Sequence, residues 1–154
     1  MRGVYTSVIK IAGLNGPKTL ALITAPTTKV VEILGFTVTN ESNATNFQFE
    51  IQIANITAGA AGITATTVTP TPHEAGDQAA GSTTKMNSTV PANEPTYGSA
   101  ITQEGAASLV GYRFEPPTPE DRIYVTAGTS IGFRMITTPT AFDADTRLTF
   151  KEIG

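Results

Sequence analysis

From Asn46 to Asn55 the large apolar side chains Phe47, Phe49, Ile51 and Ile53 alternate with Gln48, Glu50 and Gln52. A period of two puts the apolar set on one face of an extended chain and the amides and carboxylate on the other, as in a half-buried antiparallel strand and not as in a helix. Lys29 to Asn40 repeats the pattern, with Val30, Glu32, Leu34, Phe36 and Val38 on one parity and Val31, Ile33, Gly35, Thr37 and Thr39 on the other. Both parities hold apolar residues at first, which predicts a strand covered on both faces over its first half.

Between these two runs, Asn40-Glu41-Ser42-Asn43-Ala44-Thr45 supplies short polar side chains that bond to nearby backbone, so a long hairpin is expected. Val4 to Ile11 and Thr19 to Thr24 read as shorter strands around the turn signal Gly13-Leu14-Asn15-Gly16-Pro17. Ile63 to Thr69, Ala107 to Phe114, Arg122 to Thr126, Ser130 to Thr137 and Thr146 to Ile153 complete about nine strands, with no convincing helix. Roughly one residue in six is threonine, whose branched side chain suits a pleated, half-solvated surface. The expectation is one all-β domain over residues 1–154, an antiparallel β-sandwich of jelly-roll type.

Residues 70–103 interrupt this pattern with Pro70, Pro72, Pro91, Pro95, Gly76, Gly81, Gly98 and the single histidine, His73. The interruption far exceeds the length at which structureless loops become uncommon in compact domains. From Thr69 to Glu104 the charges are Glu74, Asp77, Glu94 and Glu104 against Lys85, so the whole net charge of −3 falls here and the remainder is neutral. An extended arm within the domain is expected, ordered on a partner.

The absence of cysteine excludes disulfides, thiol nucleophiles and cysteine-based metal sites, and one histidine excludes a polyhistidine centre within one subunit. No apolar run reaches the length of a membrane span. The start, Met1-Arg2-Gly3-Val4-Tyr5-Thr6, enters a β pattern directly, without the apolar stretch of a secretory signal. A net charge of −3 with scattered lysines and arginines argues against nucleic acid as a ligand.

Several constellations invite a chemical reading. His73 lies near Glu74, Asp77 and Ser82, but a triad needs a rigid frame, and the loop composition predicts a solvated histidine. Asp143-Ala144-Asp145 resembles the start of a calcium loop, although Leu148 stands where its glycine would be, so a turn before the last strand is expected. Glu120-Asp121 beside Arg122 reads as a solvated turn, and Pro116 to Pro119 as a strand stop. Sequons at Asn40, Asn43, Asn55 and Asn87 are read as chance occurrences in a threonine-rich chain. No catalytic, metal or cofactor residues are assigned. Four tyrosines and no tryptophan give sugar-binding platforms little support.

Three stretches, TPTPHEAGDQAAG at 69–81, YRFEPPTPEDRIYVTAG at 112–128 and LTFKEIG at 148–154, together with ALITAPTTKVVEILGFTV at 21–38, resemble a family of small all-β proteins of tailed bacteriophages and prophages. The resemblance implies a virion structural protein, most similar to capsid cement and decoration proteins, made in the host cytoplasm and seated on the outer capsid surface. Its implied partners are the major capsid protein and further copies of itself, as a homotrimer or homodimer, with no nucleic acid or membrane involved. The residues expected to contact a partner are Pro72, His73, Glu74, Asp77, Lys85 and Tyr97. The alternative is a receptor- or carbohydrate-binding module on a tail or neck appendage.

Overall fold

The computed structural model describes residues 3–42 and 44–154. Among them run twelve strands: β1 (Val4–Leu14), β2 (Lys18–Thr24), β3 (Val30–Asn40), β4 (Gln48–Ala58), β5 (Thr66–Val68), β6 (Thr71–Pro72), β7 (Thr83–Met86), β8 (Thr96–Ala107), β9 (Tyr112–Phe114), β10 (Ile123–Val125), β11 (Ser130–Met135) and β12 (Phe142–Ile153). Helical structure in the described residues is confined to single 3-10 turns at Pro91–Asn93 and Pro119–Asp121, each begun by a proline whose fixed φ suits a first turn.

All pairings are antiparallel and form two sheets. One runs β10-β3-β12-β1-β6, with β9 also paired to β3, and the other β5-β7-β2-β11-β4-β8. With the short β5, β6 and β7 set aside, β1-β12-β3-β9/β10 faces β2-β11-β4-β8, the double Greek key of a jelly roll. Alternation along β12 supplies one inner face, with Phe142, Ala144, Leu148 and Phe150 buried. Across the gap lie Ile51 and Ile53 of β4 and Ile131, Phe133 and Met135 of β11. Aromatic rings join the sheets: Phe36 lies 4.5 Å from Phe133 and Phe49 5.8 Å from Phe142, centroid to centroid.

The two apolar parities of β3 have a cause other than two covered faces. Its register with β12 slips where Thr149 opposite Gly35 is followed by Phe150 opposite Ile33, which leaves Leu34 as the extra residue. A bulge of this kind shifts the alternation by one, so the inward residues are Val31 and Ile33 before it and Phe36 and Val38 after it. The outer face of the first half is covered only locally, by Arg122 and Tyr124 over Glu32.

Several strand boundaries also differ from the sequence reading: Ile63 to Thr69 is reduced to the three-residue β5, and β1 runs on to Leu14, into the residues read as a turn. Residues 107–114 are not one strand: β8 ends at Ala107, a turn follows, and β9 begins at Tyr112. Gly111 closes that turn at φ +79°, where a β-carbon would come within 2.6 Å of the Val38 carbonyl oxygen, so only glycine fits. The last strand starts at Phe142, which places Asp143 and Asp145 on a strand rather than in a turn. The largest difference is β8, twelve residues drawn mostly from the segment read as an arm. Its alternation is hidden because Gly98, Ser99, Ala100, Gly105, Ala106 and Ala107 give the pattern almost no hydrophobic contrast.

The segment 70–103 is therefore ordered by its own sandwich and needs no partner to be so. From the end of β4 the chain crosses to the opposite edge, where β6 pairs with β1 and β7 with β2, and then returns as β8. Ser82, Thr84, Met86 and Ser88 are buried in the process. Bulges between Ile53 and Ala58 turn the β4–β8 ribbon across the outer face of its sheet. Tyr97 and Ile56 there lie so close over Gly132 that a β-carbon on the glycine would meet them at 2.6 and 2.9 Å.

Candidate functional site

Two polar staples fasten the crossing segment to the sandwich. The first centres on Glu152, which stands at an inward-facing position of β12. Its Oε1 accepts from the Ser82 backbone N–H at 2.7 Å and the Ser82 hydroxyl at 2.8 Å, and its Oε2 from Lys29 Nζ at 2.9 Å. Burial alone would raise the pKa of this carboxyl, but the bonds from Lys29 and Ser82 outweigh it and hold the group below the usual carboxylate range. Around it, the Tyr5 hydroxyl donates to the Gln78 carbonyl and the Gly3 N–H to Asp77 Oδ2, both at 2.9 Å. Burial, with the negative charges of Glu152 and Asp77, raises the Tyr5 pKa.

The second staple centres on Glu94, whose carboxylate accepts from the Ser88 and Thr19 hydroxyls and from the Thr19 N–H. Thr19 Oγ1 and the Tyr97 hydroxyl share a hydrogen bond at 2.6 Å, and the Arg134 guanidinium lies over the Tyr97 ring at 4.2 Å. From Arg134 the network runs along one face through Gln52, Gln103 and Glu50. Desolvation raises the Tyr97 pKa strongly and lowers that of Lys18, whose Nζ donates to Asn87 Oδ1 at 2.8 Å. Asn87 holds φ +58° to turn the chain out of β7.

These staples divide the six residues expected to meet a partner. Pro72, His73, Glu74 and Asp77 gather on a lobe at the β1 edge, where the His73 N–H donates to the Val4 carbonyl and its Nε2 shares a 2.6 Å hydrogen bond with Thr6 Oγ1. A shallow groove of about 420 Å³ there is lined by Glu74, Ala75, Gly76, Asp77 and Gln78. Lys85 lies on β7 in the other sheet, donating to the Ala61 carbonyl at 2.9 Å, and Tyr97 lies flat against the outer face of that sheet over Gly132. His73, Asp77 and Ser82 each bond to a different part of the frame and not to one another.

The remaining candidates resolve into local structure. Asp143 Oδ1 accepts from the Gly13 N–H at 2.9 Å, while Asp145 hydrogen-bonds to Glu41, which raises the Asp145 pKa. Among the described residues no group of three or more metal-ligating side chains comes together. Arg122 pairs with the buried Glu32 at 2.7 Å, and Asp121 accepts from the Thr118 hydroxyl within its turn. Asn43 of the four sequons, with Met1 and Arg2, lies outside the described residues. On the outer face of the β3–β12 sheet, a groove of about 540 Å³ is lined by Thr37, Thr39 and Thr149, by the apolar Leu34 and Phe114, and by Arg147, with Arg113 paired to Glu115 at 2.6 Å.

Sequence reasoning missed Glu152, Glu94, Ser88 and Arg134. Glu152 carried a usable signal, because it falls on the same parity as Phe142, Leu148 and Phe150, where a charge must be paired to be buried. Glu94 carried none, since the strand it fastens to is reached through Thr19, 75 positions away. No protein-family model matches the chain, and no curated protein or solved structure matches it.

Proposed function

We propose that this chain is a structural protein of a tailed-phage virion, a cement or decoration protein that binds the outside of the capsid shell. The observation that carries the reading is the acidic lobe at the β1 edge, with His73, Glu74, Ala75 and Gln78 exposed on a backbone fixed by Tyr5, Gly3 and Val4. A lobe already ordered loses little conformational entropy on docking, so its contacts convert more fully into affinity. Many copies on a repeating lattice then add weak contacts into firm attachment. The phage-like stretches at 69–81, 112–128 and 148–154 support the same reading. We assign no catalytic role, because His73, Asp77 and Ser82 serve to hold the lobe in place.

The test uses capsids stripped of this protein. Glu74→Lys combined with Ala75→Arg changes two exposed positions and leaves the bonds of Glu152, Tyr5 and Gly3 in place, so capsid binding should fall about tenfold or more while the circular dichroism stays that of the wild type. Unchanged binding would sink the proposal. Deleting residues 72–90 is a poor test, since it removes Ser82 from Glu152 and β7 from the edge of β2. The groove on the outer face of the β3–β12 sheet, with threonines, Arg147 and the aromatic Phe114 in its lining, favours a second reading, a carbohydrate-binding module on a tail or neck appendage. That reading predicts glycan binding by the isolated chain and labelling of intact particles at the tail instead of the head.

A further inference from the structure

Three of the four sheet edges end on very short strands, and the stretch of β1 beyond its pairing with β6 at Tyr5 and Thr6 carries Lys10 and an irregularity after Ile11, both of which discourage strand addition. The β3–β12 sheet ends on the two-residue β6 at one side and on the three-residue β9 and β10 at the other, and the second sheet ends on the three-residue β5. The fourth edge is β8, twelve residues long, with no strand paired to its outer side among the described residues. A long edge with a single charge, Glu104, is the kind that accepts another strand.

We propose that β8 pairs with β8 of a second copy of this chain, antiparallel about a two-fold axis through Gly105, joining two sandwiches by one continuous sheet. The pairing register follows from geometry. In an antiparallel ladder, directly opposed residues both turn their N–H and C=O groups toward the partner or both turn them away. In a regular strand those residues share one parity, so self-pairing is confined to registers centred on a residue. Residues 102–107 face β4 without a bulge, and the first irregularity comes between Thr102 and Ala100, so the axis lies within this regular run. Centring on Glu104 would set two carboxylates against each other, which is destabilising. Centring on Gln103 runs the pairing into the bulge at Ile101.

Centring on Gly105 opposes Glu104 to Ala106 and Gln103 to Ala107, and it uses only the regular run. It also accounts for the most exposed apolar residues beside this edge. Ile101, 46% exposed, lies four residues before Gly105, and Leu109, 58% exposed, lies four after it, next to Val110 at 84%. A two-fold axis at Gly105 therefore brings each Ile101 level with the Leu109–Val110 turn of the second copy. The turn is held in place, with the Ser108 N–H donating to the Phe47 carbonyl and the Val110 and Gly111 N–H groups to Ala107. Its apolar tip is thus presented on a fixed support.

The test is made on the isolated full chain and does not rest on the virion reading, so its failure leaves capsid binding untouched. Sedimentation at micromolar concentration should give twice the monomer mass, and Leu109→Lys should return it to monomer while the circular dichroism stays unchanged. The chain has no cysteine, so single cysteines report the register cleanly. Gly105 has room for a side chain, its nearest contact being the Phe49 carbonyl oxygen at 3.9 Å, so Gly105→Cys should cross-link to itself under mild oxidation. Gln103→Cys and Ala107→Cys should cross-link only when mixed. A monomeric wild type, a Leu109→Lys dimer, or stronger self-linking of Gln103→Cys than of Gly105→Cys would each overturn the proposal.

Discussion

Glu152 shows how one residue decides where a distant segment lies. Its side chain is 1% exposed, and a carboxylate so placed is tolerated only because Lys29 and Ser82 satisfy it. Its folded pKa lies below the unfolded value of about 4.3. Its contribution to stability is therefore complete above the unfolded value and is lost as pH falls through the folded one. Glu152→Gln should cost about 1–3 kcal/mol at neutral pH, and the gap to wild type should close in acid, as read by urea denaturation at both pH values. A constant gap across that range would mean that the charge is not what holds Ser82. Gly111 and Gly132 are fixed for other reasons, one by a left-handed backbone beside Val38 and one by the Tyr97 ring lying on it.

At the scale of elements, β7 and the chain after it form an integral edge of the sandwich. The Asn87 and Ser88 N–H groups donate to the Leu20 and Thr19 carbonyls, so the crossing segment continues the β2 ladder beyond β7. In native-state hydrogen exchange, amides from Thr83 to Ser88 should be protected to within about tenfold of those in β2. Exchange at the rate of an unstructured peptide would mean that the segment is an arm after all. Proline and glycine content marked this stretch as a loop, and that was right for the crossings at 59–65 and 73–82. The composition could not show that Thr84 and Met86 find buried places beside β2, because those places are made by strands far away in sequence. The extra residue in β3 was likewise visible only as apolar residues on both parities, which a bulge and a doubly covered strand explain equally well.

The whole molecule is tied together from its ends, since β1 pairs with β12 along nearly its full length. Every sheet also joins strands separated by long stretches of chain, as when β2 meets β11 and β3 meets β12. Loop closure must precede most native contacts in such a topology, and refolding is slow. The main refolding phase, followed by tyrosine fluorescence in a stopped-flow instrument, should fall in the range of milliseconds to seconds. A microsecond phase carrying most of the amplitude would contradict this topology. The two sheet edges flanking the crossing segment end in short strands, and the long open edge of β8 lies at the other side of its sheet. The acidic lobe and the proposed pairing edge are thus separate surfaces, so binding at one leaves the other free.

Alternation and turn residues determined by themselves that this chain is an antiparallel sandwich, because a period of two and the conformational limits of glycine and proline are local properties. They also located most strands, and they placed the net charge in residues 69–104. What only the tertiary structure decided is where that charged segment goes. Its fate depends on Glu152 meeting Ser82 and Glu94 meeting Thr19, contacts between residues about 70 and 75 positions apart. The same holds for β8, whose small residues carry no hydrophobic signal and become a strand only because β4 lies alongside with its ladder unfilled. The interruption in the sequence thus became a rigid lobe on one edge and an open strand on the other, by long-range pairing that local pattern does not record.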